Sequence, residues 1–305
     1  MTTSYEGRPL PRPDEEVVDQ GLRFDLDTLL SRRRVLGFLG IGAAGLGLAA
    51  CGGSSTTTRS ATGTATAATT STGEIPEETA GPYPGDGSNG TNVLTESGIV
   101  RSDIRSSFGS ASGTAEGIPM TLTLTVQDLA NGVPFEGAAV YVWHCDRDGA
   151  YSLYSEGITG ENYLRGVQVA DADGTVTFTS VFPACYSGRW PHIHFEVYPD
   201  VDSITDSTNA IATSQVALLQ DVCETVYATS GYEQSVRNLA QVSLATDNVF
   251  SDGAELETPT ITGDVSSGYT VSMGVGVDTT TAAGGGSMGG GTGGGPGGGG
   301  QPPGR

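Results

Sequence analysis

The chain has 305 residues, 35 of them acidic and 14 basic, for a formal charge of −21, and every base is an arginine. So negative a chain repels phosphate backbones, which excludes a nucleic-acid partner; the lack of lysine excludes Schiff-base catalysis and lysine-based phosphate loops. Only 36% of the residues are apolar, against roughly 45–50% in ordinary globular chains, so the core must be concentrated in part of the length.

Residues 1–50 read as an address, a twin-arginine signal peptide ending in a lipobox. Ser31-Arg32-Arg33-Arg34-Val35-Leu36 resembles the export signal, and Val35 to Ala50 is apolar and Gly-rich, though short for a membrane span of about 20 residues. Leu48-Ala49-Ala50-Cys51 is similar to a bacterial lipobox, making Cys51 the expected lipid-bearing first mature residue and the sole attachment to a membrane. Residues 51–75 form a Ser/Thr-rich tether, expected to be flexible. Residues 279–305 carry 14 Gly between Gly284 and Gly304 and are expected to be disordered. That leaves 76–278 as one folded domain.

Within it the dominant period is two. Thr121 to Val126 alternates and ends near a turn at Asn131-Gly132; Ala138 to His144, Thr175 to Phe182, His192 to Tyr198 and Ser214 to Leu218 also predict strands, with a turn at Asp173-Gly174. Thr258–Thr262 and Tyr269–Val277 predict a hairpin around Ser266-Ser267-Gly268. Asp221 to Ala228 predicts a helix, Asp221 as its N-cap and Glu224 in the capping-box position. Short strands with turn punctuation point to an all-β protein, a β-sandwich of mixed strands with short helices and loops.

His192-Ile193-His194 puts two imidazoles on one side of a strand, about 6–7 Å apart along the chain, while Ile193, Phe195 and Val197 fill the opposite phase. That arrangement suits chelation of one ion. No His follows His194, so a cupin-like set is excluded, and a His-only zinc site would have to recruit His144. Other available donors are the carboxylates Glu196 and Asp146, and phenolates from Tyr151, Tyr154, Tyr163, Tyr186 and Tyr198.

Here the sequence resembles the intradiol ring-cleavage dioxygenases, which hold a non-haem Fe(III) with two Tyr and two His. Trp143-His144-Cys145-Asp146-Arg147-Asp148-Gly149-Ala150-Tyr151-Ser152 is similar to the family segment carrying the first Tyr ligand. Asp171 to Phe178 followed by Pro183-Ala184-Cys185-Tyr186 resembles the strand and Pro-x-Tyr carrying the second. Arg189-Trp190-Pro191-His192-Ile193-His194-Phe195 resembles the segment with both His ligands and the active-site Arg three residues before them; Gln215 matches the family's outer-sphere Gln. The resemblance spans about 76–278. Gly81-Pro82-Tyr83 is similar to an N-terminal family feature, and no ligand role is assigned to Tyr83.

The resemblance implies Tyr151, Tyr186, His192 and His194 as metal ligands, Fe(III) as the cofactor, and Tyr186, Arg189 and Gln215 as catalytic residues. Tyr186 would leave the metal and accept a substrate proton. The substrates implied are a small aromatic diol and O2, the ring opening between the two hydroxylated carbons to a muconate-type diacid. The six residues from Tyr186 to His192 form a shorter loop than in cytoplasmic members and imply a more open mouth, and the helical dimerisation segment of catechol-cleaving members is missing. Cys145, Cys185 and Cys223 allow three disulfide pairings, among which nothing chooses. Two other readings are a non-catalytic exported β-sandwich binding module with a structural metal and a His-ligated zinc hydrolase.

Overall fold

A computed structural model of the chain describes residues 73–280, together with β1 (Ser4–Tyr5) and β2 (Arg8–Pro9). The two short strands pair antiparallel and belong to a different compact unit from residues 73–280. The rest of the expected signal peptide, Cys51, the tether up to residue 72 and the tail from residue 281 lie outside the described residues.

Nine strands build residues 73–280: β3 (Pro119–Asp128), β4 (Val133–Pro134), β5 (Ala139–Trp143), β6 (Arg165–Val169), β7 (Thr175–Val181), β8 (His192–Tyr198), β9 (Ala212–Ala217), β10 (Thr260–Asp264) and β11 (Gly268–Val277). One sheet runs β10-β11-β3-β4, with β7 also paired to β3; the other runs β6-β5-β8-β9. The pairing of β11 with β3 is parallel and the rest are antiparallel, so the first sheet is mixed and the four-stranded one purely antiparallel.

Period-two alternation explains how the sheets meet. Leu122, Leu124 and Val126 of β3, Val140 and Val142 of β5, Ile193, Phe195 and Val197 of β8, and Val271, Met273 and Val275 of β11 form one buried cluster between the sheets. The opposite face of the four-stranded sheet is covered too. Residues 73–100 and the loops after β5 pack over Ala139, Tyr141, Trp143 and Tyr198 as a second cluster. This is why every residue of β8 is buried.

The predicted strands are present, with no end shifted by more than two residues. β6 was not anticipated: Arg-Gly-Val-Gln-Val offers only two apolar residues, and Arg165 is buried without a carboxylate partner among the described residues. The helix α1 spans Gln220–Tyr227, and its N-cap is Leu219, with no side-chain cap. Asp221 lies inside the first turn and accepts from the Val222 amide at 2.9 Å, which corrects the predicted cap. A second helix, α2 (Glu233–Leu239), was also not anticipated; its seven residues hold few apolar positions to set a period. All three cysteines are buried free thiols, so none of the three pairings forms. Among the described residues no helix is long and apolar enough to cross a membrane.

Candidate metal centre

The outer face of β8 carries His192, His194, Glu196 and Tyr198, and cross-strand pairing sets Trp143 and Gln215 beside His194. The His192 and His194 rings stand nearly perpendicular, with their Nε2 atoms 3.1 Å apart. Nδ1 of His192 donates to the Trp190 carbonyl at 2.5 Å, which leaves the lone pair on Nε2 facing His194. The His194 ring lies flat against Trp143, 4.8 Å between centroids and 5° from parallel. Burial lowers the His192 pKa to about 3 and that of His194 well below its ordinary value, so both rings are neutral and able to ligate.

The phenols come from two loops. Tyr151, after β5, is fully buried, and its hydroxyl has no hydrogen-bond partner among the described residues. Tyr186, between β7 and β8, is half-buried, with its hydroxyl 3.2 Å from Nε2 of His192. Burial pushes both phenols far above their ordinary range. Such groups ionise in place only if a cation compensates them. The two Nε2 atoms 3.1 Å apart and the orphaned buried hydroxyl mark where such a cation would be received. The donor set therefore fits a hard, multiply charged ion held by two nitrogens and two phenolates.

The other sequence candidates are engaged elsewhere. Both ring nitrogens of His144 are taken, by the Cys145 carbonyl and the Ser180 hydroxyl, each at 2.7 Å. Asp146 accepts from the amides of Asp148 and Ala150 and from the Tyr163 hydroxyl, as the organiser of its turn. Glu196 accepts from the Tyr198 hydroxyl at 2.7 Å. Tyr154 donates to Asn89. Among the described residues no three His, Cys, Asp or Glu side chains gather to hold a metal, so the zinc reading lacks a third ligand.

Arg189 borders the centre in a fixed pose. Its Nε donates to Asp247 at 2.9 Å and its Nη2 to Gln215 at 2.7 Å, leaving Nη1 as the edge not taken by these partners. Asp247 is buried and also accepts from the amides of Trp190, Val249 and Phe250. The Arg189 guanidinium first, and then the amide bonds, hold its pKa below the usual carboxylate range despite burial. Sequence reasoning missed Asp247: it lies 58 residues beyond Arg189, one acid among 35.

A strap of chain before the first long strand closes the same side. The Glu78 amide donates to the Thr213 carbonyl at 2.7 Å, and Gln215 donates to the Thr79 carbonyl at 2.9 Å. Gly81, at φ +70°, comes so close that a Cβ there would meet the His194 ring at 3.4 Å. Tyr83 follows, 5.0 Å from the Tyr151 ring. Arg165 fixes this stretch from below by donating to the carbonyls of Tyr83 and Pro84. The Gly81-Pro82-Tyr83 signal was visible in the sequence; its place over the donors was not.

Two imidazoles and two phenols converge on the covered outer face of the β-sandwich, and a β-sandwich with this candidate nitrogen–phenol site is the class the structure defines. Residues 101–201 match the family model described as a dioxygenase. The fold is similar to that of an intradiol ring-cleavage dioxygenase from Tetranychus urticae, with TM-score 0.52 and 26% identity over 68% of this chain and 94% of that one. The four candidate ligands, Tyr151, Tyr186, His192 and His194, all lie within the residues that the family model matches. A chlorocatechol 1,2-dioxygenase of Rhodococcus opacus is 39% identical over 67 residues, covering 22% of this chain and 26% of the relative. A catechol 1,2-dioxygenase of a Pseudomonas species is 39% identical over 71 residues, 23% of each chain. The chain thus spans about a quarter of the length of these curated relatives.

Proposed function

We propose that the chain is an exported non-haem Fe(III) dioxygenase that opens catechol-type rings between the two hydroxylated carbons, with O2, to muconate-type diacids. The observation that carries this is the convergence of two neutral imidazoles, 3.1 Å apart at Nε2, with the orphaned buried hydroxyl of Tyr151. His192, His194, Tyr151 and Tyr186 would hold the ion. Bound there, Fe(III) would supply the charge that ionises the phenols and makes a chelated catecholate reactive toward O2.

The remaining work belongs to the chain. Tyr151, fully buried, would stay, whereas Tyr186, half-buried on the short loop before β8, would be the phenolate that departs. Once ionised, its Oη accepts the proton of an arriving catechol hydroxyl, a general-base role. Arg189 directs Nη1 toward the ring, and Asp247 and Gln215 hold that aim. Gln215 is bonded at both ends, to Arg189 and to the Thr79 carbonyl, so it orients rather than reacts. The strap shields the donors from water.

Export rests on sequence: Arg32-Arg33 ahead of an apolar run that ends at Cys51. Replacing both arginines by lysine should leave the protein in the cytoplasm, and Cys51→Ala should free it from the membrane or block processing; membrane-bound export of both variants would refute the address. The activity is tested by supplying Fe(III)-loaded protein with catechol and O2. One O2 should be consumed per muconate-type diacid formed. A non-catalytic binding module would consume none.

A further inference from the structure

We infer that Arg165 is a positioning residue of the metal centre: its buried guanidinium ties the turn carrying Tyr151 to the strap and so sets the direction of the phenolate that stays. This rests on the metal centre of the dioxygenase reading above.

Tyr151 is not aimed from its tip. Its hydroxyl has no hydrogen bond among the described residues, and its ring meets those of Tyr186 and His194 edge-on. The direction of the ring is therefore set by the backbone behind it. Arg165, on β6, takes hold there. Its Nε donates to the Ser152 hydroxyl at 3.1 Å and its Nη2 to the Ser152 carbonyl at 3.0 Å, on the residue next to Tyr151. The same Nη2 donates to the Tyr83 carbonyl at 2.9 Å, and the Tyr83 ring lies 5.0 Å from that of Tyr151. One nitrogen thus joins the ligand's turn to the strap residue that packs on the ligand's ring. Nη1 donates to the Pro84 carbonyl at 2.7 Å and the Tyr141 hydroxyl at 3.0 Å, so every N–H of the guanidinium is used, each on a neutral acceptor. Burying a cation among neutral groups costs stability, which makes space-filling a poor account of Arg165.

Backbone strain marks the same joint. Leu153 at φ +71° and Leu164 at φ +56° are the only non-glycine residues with positive φ among the described residues. One directly follows Ser152 and the other directly precedes Arg165. Left-handed backbone is unfavourable for leucine and persists where its surroundings over-determine it, most often at functional sites. The contacts that do so here are the Arg165–Ser152 bonds, the Ser152 hydroxyl donating to the Tyr163 carbonyl at 2.7 Å, and the Leu153 amide donating to the Glu161 carbonyl at 2.9 Å.

The test compares the Fe(III)-loaded full chain with Arg165→Lys and Ser152→Ala, and with Leu122→Ala, in the core between the sheets, as a control for lost stability. Lysine keeps the charge but lacks the planar fork that reaches these acceptors together. The readouts are the rate of iron release to a chelator, the visible band of the catechol complex without O2, where Tyr151 is the remaining phenolate, and kcat with catechol. Arg165→Lys should release iron about tenfold faster, displace that band and lower kcat by a similar factor. Ser152→Ala should move all three in the same direction by less, and Leu122→Ala should match wild type in all three despite unfolding more easily. If Arg165→Lys does not fold, Ser152→Ala decides. Wild-type iron release and spectra in the folded variants would reduce Arg165 to a structural residue and overturn the inference. If a coloured wild type fails to turn over catechol, the dioxygenase reading falls, while iron release and spectra still count for or against Arg165. A colourless iron-loaded wild type would remove both.

Discussion

The two faces of β8 share one backbone and one degree of burial but obey different rules. Ile193, Phe195 and Val197 face the other sheet and are satisfied by any close-packed apolar neighbour. His192, His194, Glu196 and Tyr198 face the strap, equally buried, and each needs a particular partner. Glu196 and Tyr198 find theirs in each other. His194 and Tyr151 do not: Nδ1 of His194 and the Tyr151 hydroxyl have no hydrogen bond among the described residues. Packing explains the inner face, whereas the outer face leaves buried polar atoms without a partner among the described residues.

The contrast is broken most severely by His194→Ala. Iron binding and ring cleavage should be lost, a fall of about 10³-fold or more if a ligand is removed, while the iron-free protein should lose little stability. Phe195→Ala, one residue away on the inner face, should do the reverse, costing about 3–5 kcal/mol in denaturant unfolding with iron affinity retained by what remains folded. If both variants failed alike in both measurements, the division between the faces would be wrong.

Asp247→Asn sharpens the comparison, because Asp247 supports the outer face from outside the sheet. It should lower kcat roughly tenfold to 100-fold by loosening Arg189, with iron content unchanged. Combined with Arg189→Lys it should add little further loss, since both changes act through one guanidinium. Full additivity would show that Asp247 works independently of Arg189.

A smaller effect is the pH dependence of iron-free stability. Burial raises Glu78 to about 7 and Glu257 to about 8, above the ordinary value of 4.5. A raised carboxyl favours the folded state while it stays protonated, so this contribution fades as pH climbs from 4.5 through those values. The buried histidines act oppositely, and their contribution is lost as pH falls below 6.5 toward about 3 for His192 and about 4 for His144. Above 6.5 only the carboxyl loss continues. Thermal unfolding should therefore move to lower temperature between pH 6.5 and 8, and Glu257→Gln should flatten that slope.

The sheets and the paired histidines were legible because they rest on period two, which the sequence displays directly: His-Ile-His-Phe-Glu-Val-Tyr states both faces of β8. The two tyrosines became legible only through the resemblance, since nothing local separates Tyr151 and Tyr186 from Tyr154 or Tyr163. Parts that depend on distant partners were hidden. Arg165 looks like a surface residue until the carbonyls of Tyr83 and Pro84 arrive from 80 or so positions earlier. Asp247 earns its place by receiving Arg189 and the Trp190 amide, a pairing no spacing rule encodes.

The most direct measurement is visible absorption of the Fe(III)-loaded protein, wild type against Tyr151→Phe and Tyr186→Phe, with and without catechol bound in the absence of O2. Wild type should be reddish from phenolate-to-iron charge transfer. Tyr151→Phe should bind iron more weakly and lose the phenolate colour that remains in the catechol complex. Tyr186→Phe should keep iron better and give a catechol complex close to wild type, while turning over about 10²–10⁴-fold more slowly if the residue is the general base. A colourless iron-loaded wild type, or a Tyr186→Phe complex altered as much as that of Tyr151→Phe, would contradict the assignment of one fixed and one departing phenolate.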